Sequence, residues 1–282
     1  MGAVPSRLAR TRITRGLPSQ ARGKGAGVSD TTEATLAEIC IVALAEAFRG
    51  DGEVLCNPMG PVPVIAGRLA RATFEPDLML TDTIAYAIEG NLPLGGDPSD
   101  AVVESYMPFR TIFDQVWSGK RHVVMGAPQI DRYGNQNFAA IGDDYRKPKA
   151  QLLGMRGAPG NLINHATTYW IPTQARSFVE SVDVVSGPGN DTIASLPDAT
   201  GRFHDIRRVV TDLGAYDFET SDGTMRVRSL HPGVTLVQAQ EASAFELTVT
   251  GEVPESRLPT DEERHLIREV FDPNGVRNGE FR

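Results

Sequence analysis

Two acidic residues are candidates for chemistry in this chain, because a positioned carboxylate can act as a nucleophile or as a base. Asp82 follows the apolar segment 78–80, a predicted buried strand, and lies between two threonines, the first of which is Thr81. The threonine hydroxyls can hold it as a hydrogen-bonded carboxylate at the strand end. Glu89 begins a long Gly- and Pro-rich connection that includes Asn91. Such connections carry function or are disordered, so Glu89 is either catalytic or a solvated loop carboxylate.

A glycine-rich loop that contains Gly157, Pro159, Gly160 and Asn161 is the candidate for binding an anion. Its backbone N–H groups can bind a phosphate or an oxyanion. The alternative interpretation of the same residues is an ordinary tight turn. The basic residues within 146–149 can also meet phosphates, or they can form a solvated surface.

The segment 122–137, HVVMGAPQIDRYGNQN, is predicted to be the central element that positions these groups. His122–Met125 is a short apolar run, typical of a buried strand, that ends at Gly126. A strand that delivers small residues and amides to its carboxyl end is how open α/β sheets build ligand clefts. On spacing alone, a sheet with two ordinary turns is the simpler interpretation.

Predicted strands alternate with predicted helices and are separated by Gly/Pro turns. Helices are predicted at residues 30–50, 62–73, 109–117, 242–246 and 261–270. The first would be capped by Asp30 or Thr31, and residues 233–238 are predicted to continue the strand pattern. The alternation indicates an α/β fold with a mostly parallel, doubly wound sheet flanked by helices.

The charge of the chain argues against nucleic acid as a partner. The 282 residues carry a net charge of −8, yet residues 1–29 hold six basic side chains and no acidic one. The remainder is therefore strongly acidic, whereas binding to phosphate backbones needs clustered Lys and Arg. The low apolar content of residues 1–29 predicts a disordered basic extension, although transit peptides and basic arms share this composition.

A few residue types bear on compartment, membrane and metal. Cys40 and Cys56 are too few for a disulfide framework and are expected to be free thiols of a cytoplasmic protein. No apolar run reaches the ~20 residues that a membrane helix needs, so no membrane association is expected. His165 and His231 have no Cys or carboxylate neighbours at metal-ligand spacing, so no metal site is expected.

Several segments, taken in order, resemble those of one enzyme family. They are GAPQIDRYGNQN at 126–137, GAPGN at 157–161, FVESVD at 178–183, SGPG at 186–189, VVTDL at 209–213 and LHPGV at 230–234. The series resembles the β subunits of class I CoA-transferases, of the glutaconate and 3-oxoacid type, over residues 31–273. Within that family, the chain is most similar to the smaller subunit of the steroid-degrading, CoA-transferase-like hydrolases that open rings.

The resemblance implies a fold, a partner and a substrate class. The fold is a single α/β domain at 30–273 of the CoA-transferase superfamily, followed by a loose tail at 274–282. A β subunit implies an α subunit, in an α2β2 heterotetramer. The implied substrate is a CoA thioester, in which coenzyme A is part of the substrate and no separate cofactor is needed. The residues expected at the substrate or its coenzyme A are Thr81, Asn91, Gly126, Gly157, Pro159, Gly160 and Asn161.

The chain departs from the family at the attacking residue. In class I CoA-transferases a β-subunit glutamate attacks the acyl-CoA, and the resemblance places it just after segment 78–80, where this chain has none. Asp82 is one methylene shorter, and a ~1 Å displacement of a reacting group can cost ~100-fold in rate. Glu89 matches the family's E-N-G segment loosely, with Gly and Asn exchanged. The main catalytic acid is therefore expected in the α subunit.

Several function classes stay open on the sequence. The missing glutamate and the likeness to the steroid branch favour hydrolysis, in which water activated by a partner carboxylate attacks a ring ketone of a CoA intermediate in steroid (cholesterol) degradation. The alternative is a glutaconate- or 3-oxoacid-type CoA-transferase β subunit. A β subunit that lacks a catalytic group and supplies half a pocket is another possibility. A sugar isomerase of related fold rests on analogy alone.

Overall fold

The structure is a computed structural model that describes residues 33–81, 86–90, 92–197 and 199–281, apart from the side chains of Pro98, Phe109 and Ile112. The predicted extension at 1–29 lies outside these residues, as do Asp82 and Asn91. The residues from Ala34 onward form one compact unit. No described helix is long and apolar enough to cross a membrane.

The first helix, α1, spans Leu36–Ala45 and begins later than expected. Thr35 caps it: the Thr35 hydroxyl accepts from the Glu38 N–H at 3.3 Å, while the Glu38 carboxylate accepts from the Thr35 N–H at 3.0 Å. This capping box satisfies two N–H groups that a helix start leaves without partners. The predicted cap at Asp30 or Thr31 is therefore wrong.

The other helices match the predicted ones in part. The α-helices after α1 are α2 (Pro61–Thr73), α3 (Phe109–Val116), α4 (Ala158–Asn164), α5 (Gln174–Ser177), α6 (Asn190–Ala194), α7 (Leu236–Glu241) and α8 (Asp261–His265). Shorter helical segments are the 3-10 helices Glu46–Phe48, Pro98–Asp100 and Val276–Phe281, and the π-helix Leu266–Phe271. The prediction is wrong at 233–246: α7 occupies part of the predicted strand and no helix forms at 242–246. A second capping box, between Thr235 and Gln238, is the local signal for α7.

The main sheet is mixed. The described strands are β1 (Leu55–Pro58), β2 (Leu80–Thr81), β3 (Tyr86–Glu89), β4 (Val102–Tyr106), β5 (Arg121–Gly126), β6 (Gln129–Ile130), β7 (Gln136–Asn137), β8 (Ala140–Ile141), β9 (Ala150–Gln151), β10 (Ala166–Ile171), β11 (Asp205–Thr211), β12 (Gly214–Asp217) and β13 (Arg226–Leu230). In the main sheet the strands lie in the order β1-β5-β10-β11-β12-β13. The first four strands are parallel, and β12 and β13 are antiparallel. The expected α/β fold is confirmed, but the sheet gains an antiparallel edge that the sequence pattern did not predict.

The two sides of this sheet pack against different elements, because successive side chains of a strand point to opposite sides. Val124 and Trp170 point to the side covered by α1 and α2, called here the α1 side. Val123 and Tyr169 point to the opposite side, where Leu162 of α4 packs on them, called here the α4 side.

A small sheet of β2, β3 and β4 joins the edge of the main sheet beside β1. Met79 pairs in parallel with Leu55, and two backbone hydrogen bonds of 3.0 Å hold Met79 between Val54 and Cys56. The predicted strand at 78–80 is thus the link between the two sheets. Every residue of β4 is exposed.

The C-terminal residues 274–281 are packed, so the expectation of a loose tail is wrong for them. The Glu280 carboxylate accepts from the Val62 N–H at 3.3 Å and from the indole N–H of Trp170. The Phe281 ring lies 5.6 Å from the Trp170 ring. These partners are distant in sequence, so a polar composition alone did not reveal the contact.

Candidate active site

A row of polar side chains crosses the α4 side of the sheet near its β1 edge. Arg121, at the start of β5, pairs with Leu55, so it shares a side with Leu55 and Asn57. The parallel pairing of Met79 with Leu55 brings Thr81 level with Asn57 on the neighbouring strand. Neighbouring strands are about 4.8 Å apart, so this register places Thr81 near Asn57, on the same side of the sheet as Arg121.

The guanidinium of Arg121 holds two asparagine side chains. Its Nε donates to Asn57 Oδ1 at 3.1 Å, and its NH2 group donates to the same oxygen. Its NH1 group donates to Asn161 Oδ1 at 2.9 Å. A guanidinium only donates, so both amides must turn their oxygens toward Arg121 and their Nδ2 groups away from it.

His165 completes the cluster as a neutral acceptor. Its Nδ1 lies 3.0 Å from the Ala166 carbonyl oxygen, which only accepts, so Nδ1 carries the proton. Burial, together with the nearby charge of Arg121, lowers the pKa of His165 to about 4. The ring is therefore neutral near pH 7, and its Nε2, 3.3 Å from Arg121 NH1, accepts from that group.

Arg121 carries a charge that no described carboxylate balances. Only 6% of the residue is exposed, and burial lowers the pKa of Arg121 to about 10, which still leaves the group charged near neutral pH. Its partners are two amide oxygens and an imidazole nitrogen. By contrast, buried Arg277 pairs with Asp272 at 2.9 Å and Arg207 pairs with Asp51 at 2.8 Å.

The structure brings together two groups of residues that the sequence singled out separately. Arg121 joins Asn161 to Asn57, and neither Arg121 nor Asn57 was predicted as a site residue. Thr81 ends β2, which lies beside β1, the strand that holds Asn57. The segment that begins at Gly157 is a helix rather than a loop: Gly157 is the N-cap of α4, and Pro159 and Gly160 lie in its first turn. The prediction of a glycine-rich loop at 157–161 is therefore wrong, because Pro near a helix start is compatible with helical geometry.

The other predicted site residues lie elsewhere. Gly126, at the end of β5, has the parity of Val124, so a side chain there would face the α1 side of the sheet. Glu89 ends β3, pairs with Val102 and is exposed. Asp82 and Asn91 lie outside the described residues, so their roles stay predictions.

The amide-rich motif after β5 builds its own turn. The Asp131 carboxylate accepts from the N–H groups of Tyr133 and Asn135, each at 3.0 Å. Asn137 Nδ2 donates to Gln129 Oε1 at 2.6 Å. The motif therefore fixes the path of the chain after β5, which favours the simpler interpretation of two turns for these amides.

A second polar chain lies on the α1 side and is more deeply buried. His122 Nδ1 lies 2.7 Å from Asp51 Oδ2, and His122 Nε2 lies 2.9 Å from the Thr168 hydroxyl. The His122 side chain is fully buried and the Phe48 ring lies 4.5 Å from it. With no exposure to a ligand, this chain of hydrogen bonds links β5 to β10 and to the segment before β1.

Arg121 could have been noticed in the sequence, because it is a charged residue at the start of an otherwise apolar predicted strand. Asn57 left a weaker signal, as part of a breaker cluster with Pro58. Their pairing joins residues 64 positions apart and could not be read from spacing. Within the described ranges, no group of three or more His, Cys, Asp or Glu side chains is placed to hold a metal ion.

Comparison with known proteins identifies close relatives. The chain is 48% identical over 250 residues to the cholesterol ring-cleaving hydrolase IpdB subunit of Rhodococcus jostii strain RHA1, which covers 88% of this chain and 97% of that subunit. It is 29% identical over 256 residues to the β subunit of the 3-oxoadipate CoA-transferase of Pseudomonas knackmussii, covering 82% and 91% of the two chains. No protein-family model matches the chain.

The fold agrees with these relatives. The crystal structure of Rhodococcus jostii RHA1 IpdAB matches with a TM-score of 0.82 and 47% identity, over 89% of this chain and 100% of the matched chain. The resemblance drawn from the motifs is thereby confirmed. This chain belongs to the family of the cholesterol ring-cleaving hydrolase IpdB subunits, with CoA-transferase β subunits as more distant relatives.

Proposed function

We propose that this chain is the β subunit of a heteromeric, CoA-transferase-like hydrolase that opens a ring of a CoA thioester derived from a steroid such as cholesterol. The observation that carries the proposal is the 48% identity, over nearly the whole relative, to a subunit named for that reaction. The CoA-transferase alternative has weaker support, since the transferase relative is 29% identical.

The end of β2 supports hydrolysis over transfer. The family places an attacking glutamate directly after segment 78–80, and this chain has Thr81 there. A threonine hydroxyl can orient a bound group or a water by hydrogen bonding, but it does not replace a carboxylate as the nucleophile that forms an acyl intermediate. The carboxylate that activates water therefore comes from the α subunit, with Asp82 and Glu89 as the first acidic residues of this chain after the strand end.

Exposed apolar side chains support assembly with an α subunit. Five of them lie on β4, on α3 or at the end of α3, and they are 51–66% exposed: Val102, Val103, Tyr106, Phe113 and Trp117. Three of the five are aromatic, and aromatic side chains are enriched at protein interfaces. The occupant we propose is the α subunit, in an α2β2 assembly.

Coenzyme A enters as part of the substrate, and no further cofactor is proposed. The residues proposed to contact the thioester or its coenzyme A are Thr81 and Asn161 of the polar cluster and, around them, Gly157, Pro159 and Gly160. A cytoplasmic location is part of the same proposal. It is supported by Cys40 and Cys56, which are free and buried, as in proteins of reducing compartments.

The experiment that tests this function is co-expression with the α subunit. The two chains should co-purify, and only the complex should open a ring-ketone CoA thioester without an added carboxylic acid. The lone chain is the control and should be inactive, because it lacks the activating carboxylate. A lone chain that is folded and fully active would overturn the proposal.

A further inference from the structure

Arg121 stands out among the buried cations of the described residues. Arg121 and Arg68 are the two described arginines whose pKa burial lowers to about 10. Neither has a carboxylate within 4.0 Å in the described chain. Arg68 lies on α2, on the α1 side of the sheet. Arg121 lies on the α4 side, in the polar row with Thr81.

A buried charge without a counter-charge is costly to the fold. Arg121 has the geometry of a binding group rather than of a structural clamp. Arg207, by comparison, pairs with the carboxylates of Asp51 and Asp205. Arg121 instead donates to two neutral amides, which leave its charge without a counter-charge.

The two amides add hydrogen-bond donors next to this charge. Because their oxygens accept from Arg121, the Nδ2 groups of Asn57 and Asn161 point away from it. Neither Nδ2 group donates to any described residue, and both side chains are partly exposed. Of the five N–H bonds of Arg121, one on NH2 has no acceptor among the described residues. Each amide thus offers a free Nδ2 donor next to the charge of Arg121, on β1 and α4, beside the start of β5.

We propose that Arg121, with the Nδ2 groups of Asn57 and Asn161, binds the carboxylate that ring opening creates. This inference rests on the proposed function and adds a site to it. In that reaction the oxygen of water bonds to the ring carbonyl carbon, and the bond from that carbon to its α-carbon breaks. The electron pair of the broken bond goes to the α-carbon, which takes up one proton of the water, and the second proton is released. The former ketone leaves as a carboxylate.

This assignment matches the charge change of the reaction. The ring ketone is neutral when it binds, and negative charge first develops on its oxygen when water adds and stays on the product carboxylate. Donors that are already oriented stabilise such developing charge without reorganising at the moment of reaction. His165 helps to position Arg121. Its ring is neutral, and its unprotonated Nε2 accepts from Arg121 NH1, so His165 holds the guanidinium in place and does not itself donate to the anion.

The first measurement uses glutarate, a small dicarboxylate, as the probe on the assembled complex. Calorimetry without substrate measures its binding, and steady-state kinetics measures its inhibition of ring opening. We expect glutarate to bind wild type and to bind Arg121→Gln on the order of 10- to 100-fold more weakly, because a charged hydrogen bond is lost. Lys120→Gln is the matched control, since it removes an exposed cation next to Arg121 in sequence and should leave the affinity unchanged.

A second variant separates binding from folding. Asn161→Asp places a carboxylate against Arg121, so the complex should be at least as stable as wild type, yet glutarate binding should be lost. In both variants kcat should fall by a larger factor than KM changes, because the neutral ketone does not use the site before reaction. A role in folding alone predicts the opposite pattern for Asn161→Asp, with stability raised and kcat and glutarate binding unchanged.

Two outcomes would overturn the proposal. One is equal glutarate affinity in wild type and Arg121→Gln. The other is a pair of results: wild type binds no glutarate, and Arg121→Gln loses the α subunit on size-exclusion chromatography. Together they would show that Arg121 pairs with a carboxylate of the partner subunit. Failure of the proposed function gives a different result from failure of this inference: the complex would bind glutarate through Arg121 but would not open the ring.

Discussion

Replacement of either of two buried arginines by methionine should change stability by very different amounts, because the two arginines have different partners. Arg277→Met leaves Asp272 buried without its cation, whereas Arg121→Met leaves two neutral amides that can bind water. Methionine keeps much of the length of the arginine side chain, so the packing change is similar at both positions. The free energy of unfolding should fall for Arg277→Met and stay nearly constant for Arg121→Met.

The magnitudes follow from the contacts. Loss of one partner of a buried ion pair costs about 3–5 kcal/mol. Asp272 also accepts from the N–H groups of Val276 at 2.8 Å and Arg277 at 3.0 Å, and these remain in Arg277→Met, so about 2–4 kcal/mol is expected. For Arg121, the lowering of its pKa to about 10 corresponds to about 3 kcal/mol of desolvation that methionine removes. The lost hydrogen bonds to neutral groups, at about 1 kcal/mol each, offset most of it.

Thermal unfolding of the assembled complex is the assay. For a chain of this size, 1 kcal/mol shifts Tm by about 2–4 °C. Arg277→Met should therefore lower Tm by about 5–10 °C, and Arg121→Met should change it by less than about 3 °C. If Arg121→Met destabilised the complex as much as Arg277→Met, Arg121 would be a structural residue, and the argument that its charge serves a ligand would fail.

Three further predictions concern the acid at β3, the proposed interface and acid stability. Glu89→Gln should lower kcat by less than ~10-fold, about 1.4 kcal/mol, because Glu89 is exposed at a strand end; a loss of ~1,000-fold would identify it as the attacking group. Tyr106→Asp combined with Trp117→Asp should abolish co-purification of the α subunit, while Val237→Asp, at a 65% exposed position on α7, should not. Burial acts to raise the pKa of Glu38, but hydrogen bonds and the charges of two arginines lower it below 4.5. The stability from Glu38 is thus present above that pH and is lost as the pH falls through the lowered pKa, so the Tm gap between wild type and Glu38→Gln should shrink progressively below pH 4.5.

The sequence predicted the elements whose signals are local. The helix expected at 62–73 is α2 at Pro61–Thr73, because Gly60 and Pro61 mark its start and an apolar face repeats along it. The central strand expected at His122–Met125 is β5, extended by one residue at each end. Where two local signals compete, the sequence misled: Thr235 with Gln238 forms a capping box inside an apparent strand, and the run from Gly157 opens a helix.

The candidate site was predicted only at its two ends. Thr81 followed from the end of a predicted strand and Asn161 from a family motif. The pairing of Arg121 with Asn57 could not be predicted, because β1 and β5 become neighbours only in the sheet. The charge on Arg121 is equally invisible to spacing, since what matters is the absence of a carboxylate around it in the described structure.

The most direct test of the central claim follows the oxygen atom. The assembled complex is incubated in 18O-water with a ring-ketone CoA thioester, and the product is analysed by mass spectrometry. Hydrolysis assisted by a partner carboxylate predicts one 18O in the new carboxylate, no need for an acceptor acid and no hydroxylamine-sensitive adduct on this chain. Strict dependence on an added carboxylic acid, or an adduct trapped at Asp82 or Glu89, would contradict it and make this chain a transferase subunit.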